Sequence, residues 1–251
     1  MPDYDFRATR LFVDVPLREG TSVRLDNSQM TYLQNVLRLR AGDTVLVFNG
    51  RDGEWRAIIA RLRKRELGLS VQECIRTQTQ APDLHYLFAP LKHSRLDYMM
   101  QKAVEMGASR LQPVLTRHVQ VTRVNLERMR ANTIEAAEQC GILTLPEIGP
   151  PIALDRMIAE RDPARVLVFC DEAAPVRDPI AALSPLHRAS DRPMPLAVLI
   201  GPEGGFAAEE RAALVELPNT VRLALGPRVL RADTAAVAAL ALVEAVLGDW
   251  R

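Results

Sequence analysis

The sequence predicts an α/β protein in two parts: a small β-rich unit over residues 1–76 and a larger unit over 77–251 built on a mostly parallel sheet covered on both faces. Three observations predict it. The first part offers short stretches rich in β-branched and large apolar residues, punctuated by turn-formers. Residues 77–82 (TQTQAP) are polar and apolar-poor, which reads as a linker. Beyond them strand-like and helical stretches alternate, as helix-covered parallel sheets require.

In the first part, residues 11–15, 44–48, 54–61 and 67–74 read as strands. Ala41-Gly42-Asp43 and the run NGRDG at 49–53 supply turns between some of them, and 28–37 fits one helical piece. In the second part, 84–90, 111–115, 166–170, 196–200 and 221–225 read as strands. Helices are expected over 94–107, with Ser94 and Asp97 at its start, over 125–140, and over 207–217. An Ala-rich helix over 232–247 can pack closely on a neighbour.

Composition removes several classes. The chain has 251 residues, 48% apolar and 25% charged, the balance of a globular protein. No apolar run approaches the ~20 residues of a membrane-spanning helix. MPDYDFRATR, at the start, carries charges where a signal peptide needs an apolar stretch. Cys74, Cys140 and Cys170 are far apart, so free thiols in a reducing cytoplasm are expected. His85, His93, His118 and His187 form no metal-ligand spacing, so no metal is expected.

Lys and Arg total 32 against 31 acidic residues, a net charge of +1, which excludes a uniformly polybasic nucleic-acid binder. The total conceals a division. Residues 1–76 hold 13 basic and 10 acidic side chains, net +3, and residues 77–251 hold 19 and 21, net −2. Arg61, Arg63 and Arg65 fall at strand spacing on one face, and Arg38 and Arg40 precede a turn. A solvated, aggregation-proof edge strand accounts for this, and so does an RNA-contacting face, because Arg pairs with phosphate bidentately and stacks on bases.

The strongest local signal is IGPEGGF (200–206), directly after the strand at 196–200. Three glycines and a proline let the main chain turn sharply and approach a ligand, and the following helix, with Glu209 and Glu210 in its first turn, aims N–H groups at the same place. Loops at strand C-termini are the usual ligand position in open α/β sheets. Neither GKS/T nor GxGxxG is present, and an ordinary tight turn would also use glycine. A second signal is LALGPRVLRADTA (223–235), where a strand again runs into Gly-Pro and then a helix. Asp233 or Thr234 can cap that helix, and Arg231 can pair with Asp233. Two such loops on strands expected to be adjacent suggest one shared pocket. In the helix from Lys92, Asp97, Gln101 and Glu105 recur every four residues along one stripe, as on many amphipathic surface helices.

These two blocks resemble the C-terminal signature of the bacterial 16S rRNA (uracil-N3)-methyltransferase family, RsmE-type, of the SPOUT superfamily. The resemblance runs nearly end to end. RLFV (10–13), VLRLRAGD (36–43), the KxxRxDxxxQKAxExGA helix (92–108), EAAEQCG (135–141) and PEI (146–148) all fall in order. It implies a PUA-like RNA-binding β-barrel over 1–76 and a trefoil-knotted SPOUT α/β domain over 77–251. It further implies S-adenosylmethionine as cofactor, a homodimer with its pocket near the subunit interface, and methylation of N3 of one uridine in the decoding region of 16S rRNA, free or in the small subunit.

Carried onto this chain, the resemblance implies a cofactor site of Leu199, Ile200, Gly201, Gly204, Gly205, Leu225, Gly226, Val229 and Leu230. Arg231 is the candidate cation beside the base oxygens, where negative charge builds once N3–H is lost. Glu203 either contacts substrate or shapes its loop. Arg10, Arg38, Arg61, Arg63, Arg95 and Arg117 are the candidate RNA contacts. The chain departs from the family pattern at Thr31-Tyr32, His118, Ile142 and Asp233, which bears on RNA contacts rather than on the cofactor loops. Two other readings are compatible with the residues: a SPOUT enzyme acting on another base or a ribose 2′-OH of rRNA or tRNA, and a non-catalytic RNA-binding assembly factor. The glycines retained in both loops favour an enzyme.

Overall fold

A computed structural model describes residues 8–63, 66–189 and 194–250. The first unit comprises the chain up to Gln80 together with Ala137–Leu145. Its five-stranded sheet has the order β1-β3-β4-β5-β2, from β1 (Arg10–Phe12), β2 (Ser22–Arg24), β3 (Thr44–Phe48), β4 (Glu54–Arg63) and β5 (Glu66–Arg76). β1 runs parallel to β3 and every other pair is antiparallel. The β3–β4 turn forms because the Asn49 side-chain oxygen accepts from the N–H groups of Arg51 and Asp52, while Gly50 takes a φ of 84°. Leu11, Val23, Val45, Val47, Ile59, Leu69 and Val71 fill the core.

The expected helix at 28–37 is two pieces. Asp26 and Gln29 form a reciprocal capping box at the start of α1 (Asn27–Thr31). A π-helical turn over Tyr32–Val36 follows and buries Leu33 completely. The unit also draws in the end of the helix over 126–140: Glu138 accepts from the Phe12 N–H at 2.8 Å, and Arg76 donates to the Gly141 carbonyl at 2.8 Å. A boundary read along the chain is blind to such a return.

The second unit comprises Ala81–Ala136 and Pro146–Arg251. Its strands are β6 (Leu84–Phe88), β7 (Arg110–Leu115), β8 (Glu147–Ile148), β9 (Ile152–Ala153), β10 (Val166–Cys170), β11 (Leu196–Ile200) and β12 (Thr220–Leu223). They pair in parallel in the order β12-β10-β11-β6-β7-β8, with β9 beside β7. β10 therefore separates β11 from β12, which corrects the expectation that the two Gly-Pro loops leave adjacent strands. The crossover from β11 through one helix skips a position, which local sequence does not encode.

Alternate residues of these strands enter two different cores. Tyr86, Phe88, Val168, Val198 and Ile200 pack against α2 (His93–Glu105), α5 (Pro179–Ala189) and α7 (Ala232–Leu247). Leu87, Leu167, Phe169, Ala197 and Leu199 pack against α4 (Leu154–Glu160) and α6 (Ala208–Val215). Ala236 and Ala239 let α7 lie close to the sheet, as its composition suggests. The Asp97 stripe of α2 faces α3 (Leu126–Cys140), where Asp97 accepts from Arg128 at 2.6 and 2.9 Å and from Asn132 at 3.0 Å.

One buried charge makes the second unit sensitive to pH. Glu244 of α7 is 1% exposed and accepts from the Asp249 N–H at 3.0 Å. Burial pushes its carboxyl up from 4.5 to about 7, against the pull of that N–H. Between those values the folded chain holds a proton that the unfolded chain has released, so the stability Glu244 contributes falls as pH rises through the window. His85, lowered to about 4, acts in the opposite direction over part of the window, so the test is the variant against the native chain: the denaturation midpoint of Glu244→Gln is expected to rise relative to that of the native chain between about pH 5 and pH 7.5.

Candidate functional site

Parallel strands direct all their C-terminal ends to one edge of the sheet, so the segments leaving β6, β7, β10, β11 and β12 gather there. After β11 the chain doubles back on itself. The Phe206 ring lies over Gly201, where a Cβ would stand 2.6 Å from Cε2, and meets Phe169 edge-on at 5.1 Å. Gly201 is thus required by close approach rather than by turn angle. The loop after β12 turns at Gly226 with a φ of 89°, in the left-handed region that favours glycine.

Neighbouring segments hold these loops by named contacts. Nδ1 of His118 lies 3.2 Å from both the Gly204 and Gly205 carbonyls. Carbonyls only accept, so Nδ1 carries the proton. Beside it, the Arg117 N–H donates to Glu210 at 2.7 Å, and the other oxygen of Glu210 accepts from the Ala207 N–H at the start of α6. Arg95 of α2 reaches Glu203 at 3.2 Å and Asp233 at 3.9 Å, so a single guanidinium links the first loop to the beginning of α7.

At the end of β10, Asp171 is 5% exposed and accepts from Arg211 of α6 at 3.0 and 3.1 Å and from Arg222 of β12 at 2.8 Å. Burial acts to raise this carboxyl, but the two guanidiniums and the Ala173 N–H outweigh it and hold it below its ordinary range. The residue therefore ties the element after the first loop to the strand before the second.

The expected site residues separate into groups. Leu199 and Ile200 are buried strand residues whose side chains belong to the two cores, and the Ile200 carbonyl already accepts from the Ala89 N–H. Gly201, Gly204, Gly205 and Glu203 lie in the first loop. Leu225 and Leu230 are half-buried in the second, whereas Val229 is 91% exposed. Arg231 is exposed at the N-cap of α7, with no carboxylate in ion-pair range among the described residues; Asp233 points its charge at Arg95 instead.

The candidate RNA contacts are similarly mixed. Arg38 and Arg61 are exposed, Arg38 with a φ of 58°. Arg117 is exposed and meets Glu209 at 3.5 Å, while Arg95 is engaged as described. The Arg63 side chain, with Lys64 and Arg65, lies outside the described residues. Arg10 is corrected: it is 4% exposed and its guanidinium is committed to Glu54 at 2.8 Å, because a buried cation needs a partner more than a surface one does.

The chain matches the RNA methyltransferase domain family over residues 78–244, the part that carries the loops, and the RNA methyltransferase PUA domain family over 25–71. It is 30% identical over 235 residues to the ribosomal RNA small subunit methyltransferase E of Rickettsia conorii, covering 93% of this chain and 94% of that one. It belongs to the ribosomal RNA small subunit methyltransferase E family. The homologue of that name from Synechocystis is also 30% identical, over 230 residues, 90% of this chain and 74% of its own length. A putative methyltransferase of Legionella pneumophila, solved with bound S-adenosylmethionine, superposes with a TM-score of 0.81 at 28% identity, covering 95% of this chain and 98% of that one. The methyltransferase E of Neisseria gonorrhoeae, at 24% identity and a TM-score of 0.84 over 98% of this chain and 100% of that one, confirms the fold.

As a member of the methyltransferase E family, the chain is an RNA methyltransferase with an α/β catalytic domain and a PUA domain. Sequence reading singled out both glycine-bearing loops and missed what fastens them. Asp171, Arg211 and Arg222 carry no motif, and only the burial of Asp171 and the convergence of two guanidiniums on it single them out. His118 stood out only as a departure from the family pattern. Among the described residues no group of His, Cys, Asp and Glu could hold a metal ion, and no helix is long and apolar enough to cross a membrane.

Proposed function

We propose that this protein transfers a methyl group from S-adenosylmethionine to N3 of one uridine in the decoding region of 16S rRNA, as a homodimer. The observation that carries the reading is the fastening of two glycine-bearing loops at one sheet edge by Arg95, His118 and Asp171. The names of the relatives supply the substrate, and the cofactor in the Legionella pneumophila structure supplies the donor. The residues present fit that cofactor. A Cβ placed at Gly205 or Gly226 would meet nothing within 4 Å, so both open onto free space, and Leu225, Val229 and Leu230 offer apolar surface to an adenine.

The cofactor supplies an electrophilic methyl on sulfur. Main-chain groups of Gly201, Gly204 and Gly205 hold it, and Leu199 and Ile200 form the rigid strand end behind them. Positioning is the main catalytic demand, since N3 must lie in line with the methyl carbon. Arg231, free of carboxylate partners among the described residues, steadies the charge that builds on the base oxygens. Glu203 acts through Arg95 to shape the loop, and Arg38, Arg61 and Arg117 offer cations to RNA phosphate. Exposed Val176, Ile180 and Val229, around the β12 edge strand and the helix packed on it, supply apolar surface for a second subunit. The reading extends to the trefoil-knotted chain path of the superfamily.

The test is mass spectrometry of small-subunit rRNA from a strain lacking the gene. Loss of one 3-methyluridine is expected, and an unchanged uridine profile would sink the proposal. His118→Ala is expected to weaken cofactor binding about 5- to 30-fold by calorimetry, the scale of one or two neutral hydrogen bonds at ~1 kcal/mol each.

A further inference from the structure

The second unit holds a cavity of about 250 Å³ at the opposite edge of its sheet. Its walls include His85, Leu167 and Ala197, each the second residue of its strand, and Arg110, the first residue of β7. It therefore lies at the strand N-termini, whereas the two glycine-bearing loops leave the C-termini. Its size falls just below the ~300–1,000 Å³ of drug-sized ligand pockets, which suits one ring with one charged group.

The charges around it are unevenly satisfied. Arg165 is held by both oxygens of Asp83 at 2.7 and 3.1 Å, and Arg110 meets Glu147 at 3.2 Å. Arg161 differs. Only its Nη2 is engaged, donating to the Arg165 and Pro218 carbonyls at 3.1 and 2.9 Å, and no carboxylate lies in ion-pair range among the described residues. Burial lowers its pKa, with the Asp162 charge acting the other way from beyond ion-pair range, and its Nε and Nη1 donors have no hydrogen-bond partner among the described residues. An oxyanion with two acceptor oxygens answers the remaining guanidinium fork.

Other walls define the rest of the ligand. Leu87, Leu167, Ala197 and Met157 form an apolar surface against which a flat ring can lie. Burial, helped by Arg165, pushes His85 down to about 4, so its ring is neutral at pH 7; Nε2 faces Asp83 at 3.5 Å, which leaves Nδ1 to accept from the edge of a base. Glu160, which already accepts from Arg156 at 2.6 Å, and Asp162 are also on the wall; they can accept from sugar hydroxyls, and their charge disfavours di- and triphosphates.

We propose that this cavity binds a single nucleotide carrying one phosphate, with the phosphate on Arg161 and the base over Leu87 and Leu167. The ligand is either a free nucleoside 5′-monophosphate or one nucleotide of an RNA strand. The proposal does not depend on methyl transfer at the other edge of the sheet.

Full-length protein would be titrated with uridine and adenosine 5′-monophosphate by calorimetry. Saturable binding of at least one is expected, weakened 10-fold or more by Arg161→Ala and less by Arg161→Lys, which keeps the charge and loses the fork. The His85 ring resonances of the unmodified protein are expected to shift on saturation. Absence of heat with both nucleotides up to about 10 mM, binding unchanged in Arg161→Ala, or unmoved His85 signals would each overturn the proposal. Displacement of the mononucleotide by a short single-stranded RNA assigns the site to the polymer; failure to displace it assigns a free mononucleotide, and either result upholds the site. Titration with S-adenosylmethionine in the same samples reads the methyltransferase site separately, so failure of one reading leaves the other standing.

Discussion

Glu54→Ala is expected to destabilise the N-terminal unit by about 3–5 kcal/mol, the scale of removing one member of a buried ion pair. Glu54 is 1% exposed at the start of β4. One oxygen accepts from Arg10 of β1 at 2.8 Å and the other from Arg76 of β5 at 2.6 Å, so the carboxylate joins three strands. Arg10 has a side chain only 2% exposed and cannot turn to water once the carboxylate is gone, although it keeps its bond to the Ala8 carbonyl at 3.1 Å. Arg76 is 22% exposed and recovers part of its hydration, which makes Arg10 the larger share of the loss. Glu54→Gln keeps the shape and the hydrogen-bond acceptor and is expected to fall between. Amide hydrogen exchange over β3 and β4 would report the change within this unit. If Glu54→Ala protects those amides as well as the native chain does, the carboxylate contributes no net stability.

The same ion pair shows where sequence reading stops. A buried arginine and a surface arginine look alike in sequence, because burial depends on a partner 44 positions away. That is why Arg10 entered as an RNA contact. The second-unit strands were legible for the opposite reason. Burial on both faces demands apolar residues at nearly every position, so VLVFC at β10 and LAVLI at β11 announce themselves. β2 has three residues with one buried, β8 and β9 have two each, and none is long enough to show a period. α5 escaped because Pro185 sits inside it, where composition argues for a break. The two glycine-bearing loops were legible through their glycines, whereas strand order, which places β10 between the strands they leave, depends on a crossover and leaves no local trace.

Arg231→Ala is expected to lower turnover about 10²- to 10³-fold, the usual cost of removing one group aimed at developing negative charge. Affinity for S-adenosylmethionine is expected to change less than about 3-fold, because the proposed cofactor contacts run through main chain and apolar side chains. The assignment rests on how the charges are shared. Asp233, two residues along, turns to Arg95, and Arg95 also takes Glu203. That arrangement leaves Arg231 exposed without a carboxylate partner among the described residues, at the positive end of the 16-residue helix α7. Both features favour an anion beside it, and a uracil that has lost N3–H is one. Rate against pH separates this role from a merely structural one. A cation that eases loss of the N3 proton matters less as rising pH removes that proton unaided, so the deficit of Arg231→Ala is expected to narrow at alkaline pH. Arg231→Lys restores the charge without the planar fork and is expected to recover part of the rate. Equal losses in turnover and cofactor affinity, at every pH, would place Arg231 in the cofactor site instead.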